Sequence, residues 1–475
     1  MNFSFFRQEV LSRLKYEPSH SQLDAISVLS DFFDDQNNYV LCLLTGYAGT
    51  GKTTLISSLI KFLNDLKINS VLLAPTGRAA KVLSSYSGYN AYTIHKHIYR
   101  KKGIDSSDSR FEVNFNKNKD TIFIVDEASM IGNIATGNSD FGTGRLLDDL
   151  LNYVFSGKNC RLIFIGDLAQ LPPISTPLSP ALDVKYLQSS GLSLHYSNLD
   201  DVLRQSLDSG ILVNANIIRN SVNDIDFVKY PKLNLNYPDI VAISSDSIID
   251  EIDSAYSKYG LFETKIICKT NKNANVYNNG IRNRILWREN ELERGDLLMV
   301  VKNSYTSLPE NAEIDFIANG DILEIVKINS IQEIYNCRFA DVLVRFTDFL
   351  ELEINVKIAL DALSVDTANL SEDYYKKLYE CLYQEYEYLG TKKKINDAIF
   401  SDPYFNSLQV KFAYSITCHK AQGGQWSAVF LDHGWVNFEK LEPGQRYEFF
   451  RWLYTAFTRA KEKLYLVNFN SVFFE

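Results

Sequence analysis

Short apolar runs recur along the chain, and several stop abruptly at glycine, proline or a carboxylate. YVLCLL (39–44), SVLLA (70–74), TIFIV (121–125) and RLIFI (161–165) have the length and branching of buried strands. Between them, TTLISSLIKFLNDL and GRAAKVL repeat apolar residues at helical spacing. Strand and helix alternate, which predicts an open parallel sheet, and such sheets bind ligands along the carboxyl ends of their strands. The pattern returns later in TKIICKTNKNANVYN, KFAYSITCHKAQG and KLYLVNF. Between these, residues 293–357 alternate apolar and polar positions with turn signals, which predicts several short strands and a small barrel. The tyrosine-rich stretch 371–400 reads as helix, its aromatics packed against neighbours rather than held out for a ligand. A polar segment at 98–120, with FEVNF alternating in it, fits a β-hairpin.

Composition narrows the class. At 475 residues the chain holds two to four domains, and 45% hydrophobic with 23% charged residues is globular. No apolar stretch approaches the ~20 residues of a membrane span, and the charged start MNFSFFRQEVLSRLKYE is no signal peptide. Six scattered cysteines without a CxxC pair read as buried thiols, so the chain is expected in the cytoplasm. A net charge of −9 confines any nucleic-acid site to a local groove.

Residues 46–53, GYAGTGKT, fit the phosphate loop G-x-x-x-x-G-K-[ST] between a strand and a helix. Glycines turn backbone N–H groups inward and the helix end adds positive potential. Gly46, Ala48, Gly49, Thr50, Gly51 and Thr54 form the expected cradle, Lys52 reaches the outer phosphates, and the Thr53 hydroxyl takes a magnesium position. Strand 121–125 delivers Asp126 to bind magnesium and Glu127 to polarise the attacking water. RLIFIGDLAQLPPI delivers Gln170 to sense the third phosphate or its water; a capping or loop role is the alternative.

The ordered set of Gln22 in SHSQLDAISVL, GYAGTGKT, APTGRAAKVL, TIHK, DEAS, GDLAQLPPI, LDDVLRQ, ITCHKAQGGQW and YTAFTRAKEKL resembles superfamily 1 helicases of the B branch, RecD/Dda-like, from residue 22 to about 467. The resemblance implies an α/β architecture of two RecA-like halves. Residues 1–97 and 119–194 form the first, 195–289 and 409–475 the second. A hairpin (98–118) is inserted in the first, and an SH3-like barrel with a helical segment (290–408) in the second. It further implies an ATP- and magnesium-dependent DNA helicase that moves 5′ to 3′. Its expected partners are single-stranded and forked duplex DNA, and it is expected to work as a monomer. Gln22 would recognise adenine, and Gly423, beside Gln422, would face the nucleotide. Arg204 and Arg459 would meet the third phosphate from the second half. Pro75, Thr76, Thr93, His95, Thr417, His419 and Lys420 would grip the strand, with Phe111 or Phe115 against a base at the fork. An RNA helicase or ribonucleoprotein remodeller would share every catalytic residue. A nucleotide-switched single-strand-binding ATPase would bind without unwinding.

Overall fold

The computed structural model describes residues 3–14, 16–101, 111–135, 141–174, 176–201, 208–223, 230–304, 317–347, 352–434, 436 and 438–474. The apolar runs of the first lobe form a six-stranded parallel sheet. Its order is Ala91–Thr93, Asn69–Ala74, Thr121–Val125, Arg161–Gly166, Val40–Gly46, Ser193–Leu199. Both faces are covered, which is why its strands are apolar on both sides. Helices Phe3–Ser12, His20–Asp34 and Lys52–Asp65 bury Phe6, Phe32, Leu59 and Phe62 on one face; Ile94–Ile98 and Leu146–Ser156 bury Ile98 and Leu150 on the other. The final strand carries this lobe to Leu199, past the boundary of 194 expected from sequence, because SLHYSNL pairs in parallel with Val40–Gly46.

The second lobe is a five-stranded parallel sheet, ordered Ser415–Thr417, Thr264–Cys268, Trp426–Asp432, Ala460–Val467, Ile240–Ile243. Two parallel sheets of this kind match the RecA-like halves expected. The alternating region closes into a barrel of Leu297–Val300, Ile322–Ile334, Cys337–Phe346, Glu353–Ala359 and Leu408–Phe412. The last of these strands had been placed in the second lobe from 409 onward; it closes the barrel by pairing with Leu297–Val300. Helices Glu372–Glu385 and Lys392–Ser401 fold onto the barrel end, where Tyr375, Tyr379 and Tyr386 bond to Gln409, Asn396 and Asp402. Their rings are thus spent largely on packing, although Tyr388 is exposed. The hairpin is present as Tyr99–Lys101 paired with Phe111–Val113. All six cysteines are unpaired, and among the described residues no helix is long and apolar enough to cross a membrane.

A buried ion cluster fixes barrel to lobe. Asp296, fully buried just before the first barrel strand, accepts from Arg282 (2.9 and 3.0 Å), Arg288 (2.5 Å) and the Tyr414 hydroxyl (2.9 Å). Arg282 belongs to helix Asn271–Arg284 of the lobe. Removing the carboxylate would strand two guanidiniums away from water, and breaking such a buried pair costs about 3–5 kcal/mol. Asp296→Ala should therefore lower stability by about that amount in urea denaturation; a loss near zero would show that the cluster does not fasten the barrel.

Candidate active site between the lobes

Strand Val40–Gly46 ends in glycine because nothing larger fits: a Cβ on Gly46 would lie 2.9 Å from the Leu199 Cβ. The chain then turns through Gly49 and Gly51, both at φ 79°, and Gly51 caps helix Lys52–Asp65. Only glycine adopts that backbone cheaply. The turn sets a helix N-terminus and its free amides at one point, an arrangement that favours anions. Lys52 Nζ donates to the Gly46 and Tyr47 carbonyls, each at 2.7 Å, and lies 3.8 Å from the Asp167 carboxylate. The Thr50 hydroxyl braces the loop through the Tyr47 carbonyl at 2.8 Å. Thr54 is half-buried in the first helical turn.

A cavity of about 350 Å³ opens before this loop. Lys52, Thr53, Asp126, Glu127 and Gln170 line it from the first lobe; Gly423, Gln425, Arg459 and Lys461 line it from the second. Asp126 accepts from the Tyr86 hydroxyl (2.6 Å) and the Glu127 amide (2.8 Å). Glu127 sits at φ 53°, a left-handed backbone that non-glycine residues keep mostly at functional sites. Burial raises both carboxyls; on Glu127, Arg459 opposes the rise and Asp126 adds to it. A raised carboxyl is a better base toward water. Thr53 and Asp126 supply a hydroxyl and a carboxylate, the hard oxygen donors that magnesium prefers. Gln170 is buried and its Oε1 has no hydrogen-bond donor, which suits an acceptor aimed at water.

Arg459 faces this set from the other lobe. It is buried, and its guanidinium is held by the Thr455 carbonyl (2.9 Å), the Thr458 hydroxyl (3.0 Å) and the Gly424 carbonyl (3.2 Å). Arg204 lies outside the described residues. Gln22 is the third residue of helix His20–Asp34, in a capping box with Ser19: its Oε1 accepts from the Ser19 amide at 3.0 Å, and its Nε2 lies 3.4 Å from the Thr50 carbonyl. The S-x-x-Q spacing announces this cap. Nε2 also lies 3.5 Å from the Gly51 carbonyl, so both N–H groups have loop carbonyls near them and one lone pair remains on Oε1.

Known proteins divide along the same lines. The AAA domain family matches residues 35–221, and the UvrD-like helicase C-terminal domain family matches residues 412–467. The ATP-dependent DNA helicase dda of Enterobacteria phage T4 is 24% identical over 94% of this chain and 99% of its own length. Along nearly its whole length the chain is similar to the RecD/Dda-like superfamily 1 helicases. An uncharacterised protein of Acanthamoeba polyphaga mimivirus is 27% identical over 93% of this chain and 98% of its own. The ATP-dependent RecD2 DNA helicase of Deinococcus radiodurans is 31% identical over 146 residues, 30% of this chain and 18% of that one. A Pif1 helicase from Bacteroides, solved with ADP-AlF3 and ssDNA, aligns over 97% of this chain and 95% of its own at 14% identity and a TM-score of 0.47.

The residues expected to grip a strand in this RecD/Dda-like chain fall on two kinds of element. Pro75 and Thr76 follow strand Asn69–Ala74, and Thr76 caps helix Gly77–Ser87 by accepting from the Ala79 amide at 3.2 Å. Thr93 caps Ile94–Ile98 in the same way, at 3.1 Å from the Lys96 amide. Thr417 starts the short helix Cys418–Ala421, which carries His419, exposed, and Lys420. Lys420 donates to Asn319 on the barrel turn, and the same turn's Asp321 would lie 3.1 Å from a Cβ on Gly77. The barrel thus reaches two of the helices that carry residues expected to grip a strand, Cys418–Ala421 and Gly77–Ser87. His95 is set differently from the expectation. Its ring packs on Phe141 (4.9 Å) and Tyr99 (5.7 Å), and burial lowers its pKa to about 4. It is neutral at pH 7 and offers a phosphate no charge. Phe111 is likewise buried, 5.0 Å from Phe141, so in this conformation it cannot stack on a base. Phe115 is 69% exposed, with the Arg100 guanidinium 4.7 Å over its ring.

Sequence reading missed the seam itself. Arg451, Tyr454, Thr455 and Thr458 all lie in or just after helix Pro443–Phe457, and all are buried. Their spacing, i, i+3, i+4 and i+7, draws a polar stripe along the apolar second half of the helix, and that stripe was the available signal. Tyr86, which holds Asp126, had none. Lys52→Ala should abolish ATP hydrolysis. Glu127→Gln should slow turnover by about 10²–10⁴-fold while fluorescent ATP-analogue binding persists; loss of binding in that variant would remove Glu127 from its role as base.

Proposed function

We propose that the protein is an ATP-driven motor that steps along single-stranded DNA, 5′ to 3′, and separates duplex ahead of it. The observation that carries this reading is the cavity, lined by the phosphate loop and its carboxylates on one side and by Arg459 on the other. Triphosphate held there would be gripped by both lobes. Lys52 would exchange its two loop carbonyls for phosphate oxygens. Glu127 would orient and deprotonate water, and Gln170 would accept a hydrogen from it. Arg459 would stabilise charge spreading over the third phosphate, an effect worth about 10³ in rate or more. Magnesium bound at Thr53 and Asp126 would neutralise phosphate charge. Loss of the third phosphate removes those charge-assisted contacts and frees the lobes.

A second contact supports the coupling to movement. A Cβ on Gly423, which lines the cavity, would lie 2.8 Å from the Ala79 Cβ and 3.1 Å from the Thr76 hydroxyl. The loop that faces nucleotide therefore rests on the cap of the helix proposed to hold strand phosphates. Hydroxyls and helix N-termini hold phosphates without reading bases. Of the two candidates Phe111 and Phe115, the exposure of Phe115 favours it as the aromatic that would meet a base at the fork. Both halves of the catalytic set lie in one chain, so a monomer suffices, and unpaired cysteines suit the cytoplasm.

Unwinding of two partial duplexes, one with a 5′ tail and one with a 3′ tail, tests activity and polarity together. The expected result is ATP-dependent displacement from the 5′-tailed substrate alone. Displacement from the 3′-tailed one reverses the polarity, and ATP-stimulated binding without displacement would mark a switched clamp. Stimulation of hydrolysis by RNA over DNA would favour the remodeller. Strand affinity should fall with salt at a log–log slope of about −0.7 per neutralised phosphate.

A further inference from the structure

One hydroxyl joins the two lobes at the phosphate loop. The Ala48 N–H donates to the Tyr454 hydroxyl at 2.7 Å, and that hydroxyl donates to Asp167 Oδ2 at 2.7 Å. Ala48 and Asp167 belong to the first lobe; Tyr454, fully buried, belongs to helix Pro443–Phe457 of the second. Burial and the Asp167 charge hold the phenol far above its usual range, so it stays a donor at every working pH. A phenylalanine here would leave a half-buried amide and a buried carboxylate oxygen without this partner, so packing alone does not explain the tyrosine.

Position along the chain gives the hydroxyl its consequence. Arg459 follows the same helix, and its Nε is fixed on the carbonyl of Thr455, the residue after Tyr454. The Tyr454 hydrogen bonds therefore tie the phosphate loop itself to the helix end that carries Arg459. Asp167 completes the frame, since its other oxygen accepts from the Ala169 amide at 2.9 Å and its carboxylate lies 3.8 Å from Lys52 Nζ.

We propose that Tyr454 is a positioning residue for ATP hydrolysis: its hydroxyl sets the separation at which Arg459 meets the phosphoryl group held by the phosphate loop. It acts through Arg459 and leaves strand binding alone. The inference rests on the ATPase reading above. Misplacing a catalytic group by about 1 Å can cost 10²-fold in rate, which sets the scale of the test.

Tyr454→Phe, Arg459→Ala and the double variant are compared with the unaltered chain. Steady-state ATP hydrolysis with saturating oligo(dT) is read at a temperature where circular dichroism shows all four folded. Tyr454→Phe is expected to lose about 10- to 100-fold in kcat, with KM for ATP and Kd for oligo(dT) changed less than about 3-fold. In the Arg459→Ala background the same change should have no further effect on kcat. An unchanged kcat in Tyr454→Phe overturns the proposal. So do losses that multiply in the double variant, because a general weakening of the seam would act whether or not Arg459 is present. Failure of the unaltered chain to hydrolyse ATP would be a different result, since it removes the reading beneath the proposal.

Discussion

Arg451 donates to the carbonyls of Gln170 (2.8 Å), Pro177 (2.6 Å) and Leu168 (2.9 Å), and the seam between the lobes is organised around those bonds. A guanidinium 2% exposed must find acceptors, since a buried charge without partners is among the most costly features a fold can carry. The acceptors it finds are backbone oxygens of the other lobe. Around it, the Leu171 amide donates to the Thr455 hydroxyl at 2.8 Å, and Gln422 donates to the Leu171 carbonyl at 2.6 Å. The loop after strand Arg161–Gly166 is thus continuous in sequence with the first lobe and bonded to the second. Gln170, in that loop, lines the cavity and is proposed to carry lobe movement to water beside the third phosphate.

This arrangement gives nucleotide chemistry and strand contact a common skeleton. Gly423 lines the cavity and rests on Thr76 and Ala79; Lys420, on the short helix just before it, meets the barrel turn. The barrel in turn is anchored to the second lobe by Asp296 and the arginines that surround it. A change in the cavity therefore has packed, hydrogen-bonded routes to two of the elements proposed to grip the strand, helix Gly77–Ser87 and helix Cys418–Ala421.

Much of this was legible before any coordinates. Strand-ending glycines and carboxylates marked the phosphate loop and the Asp126–Glu127 pair, because a loop that cradles phosphate admits few alternatives. Alternating residues after 293 announced the barrel. Boundaries were less visible: SLHYSNL carries too many polar residues to read as a sheet strand, and only its parallel pairing with Val40–Gly46 makes it one. Phe111 and His95 looked available because local pattern does not show what lies above a side chain; Phe141, distant in sequence, covers both. The seam residues escaped for a related reason. Most of their partners are backbone carbonyls and amides of the other lobe, and the sequence does not show that these lie opposite the stripe.

The central claim is that triphosphate draws the lobes together through Arg459. Distances between spin labels placed on the exposed faces of the two lobes, measured by pulsed electron resonance, test it most directly. Adding a non-hydrolysable ATP analogue with magnesium should narrow and shorten the distribution in the unaltered chain, and ADP should not. In Arg459→Ala the analogue should still bind yet leave the distribution where ADP leaves it. An equal shift in both proteins, or none in either, would contradict the account.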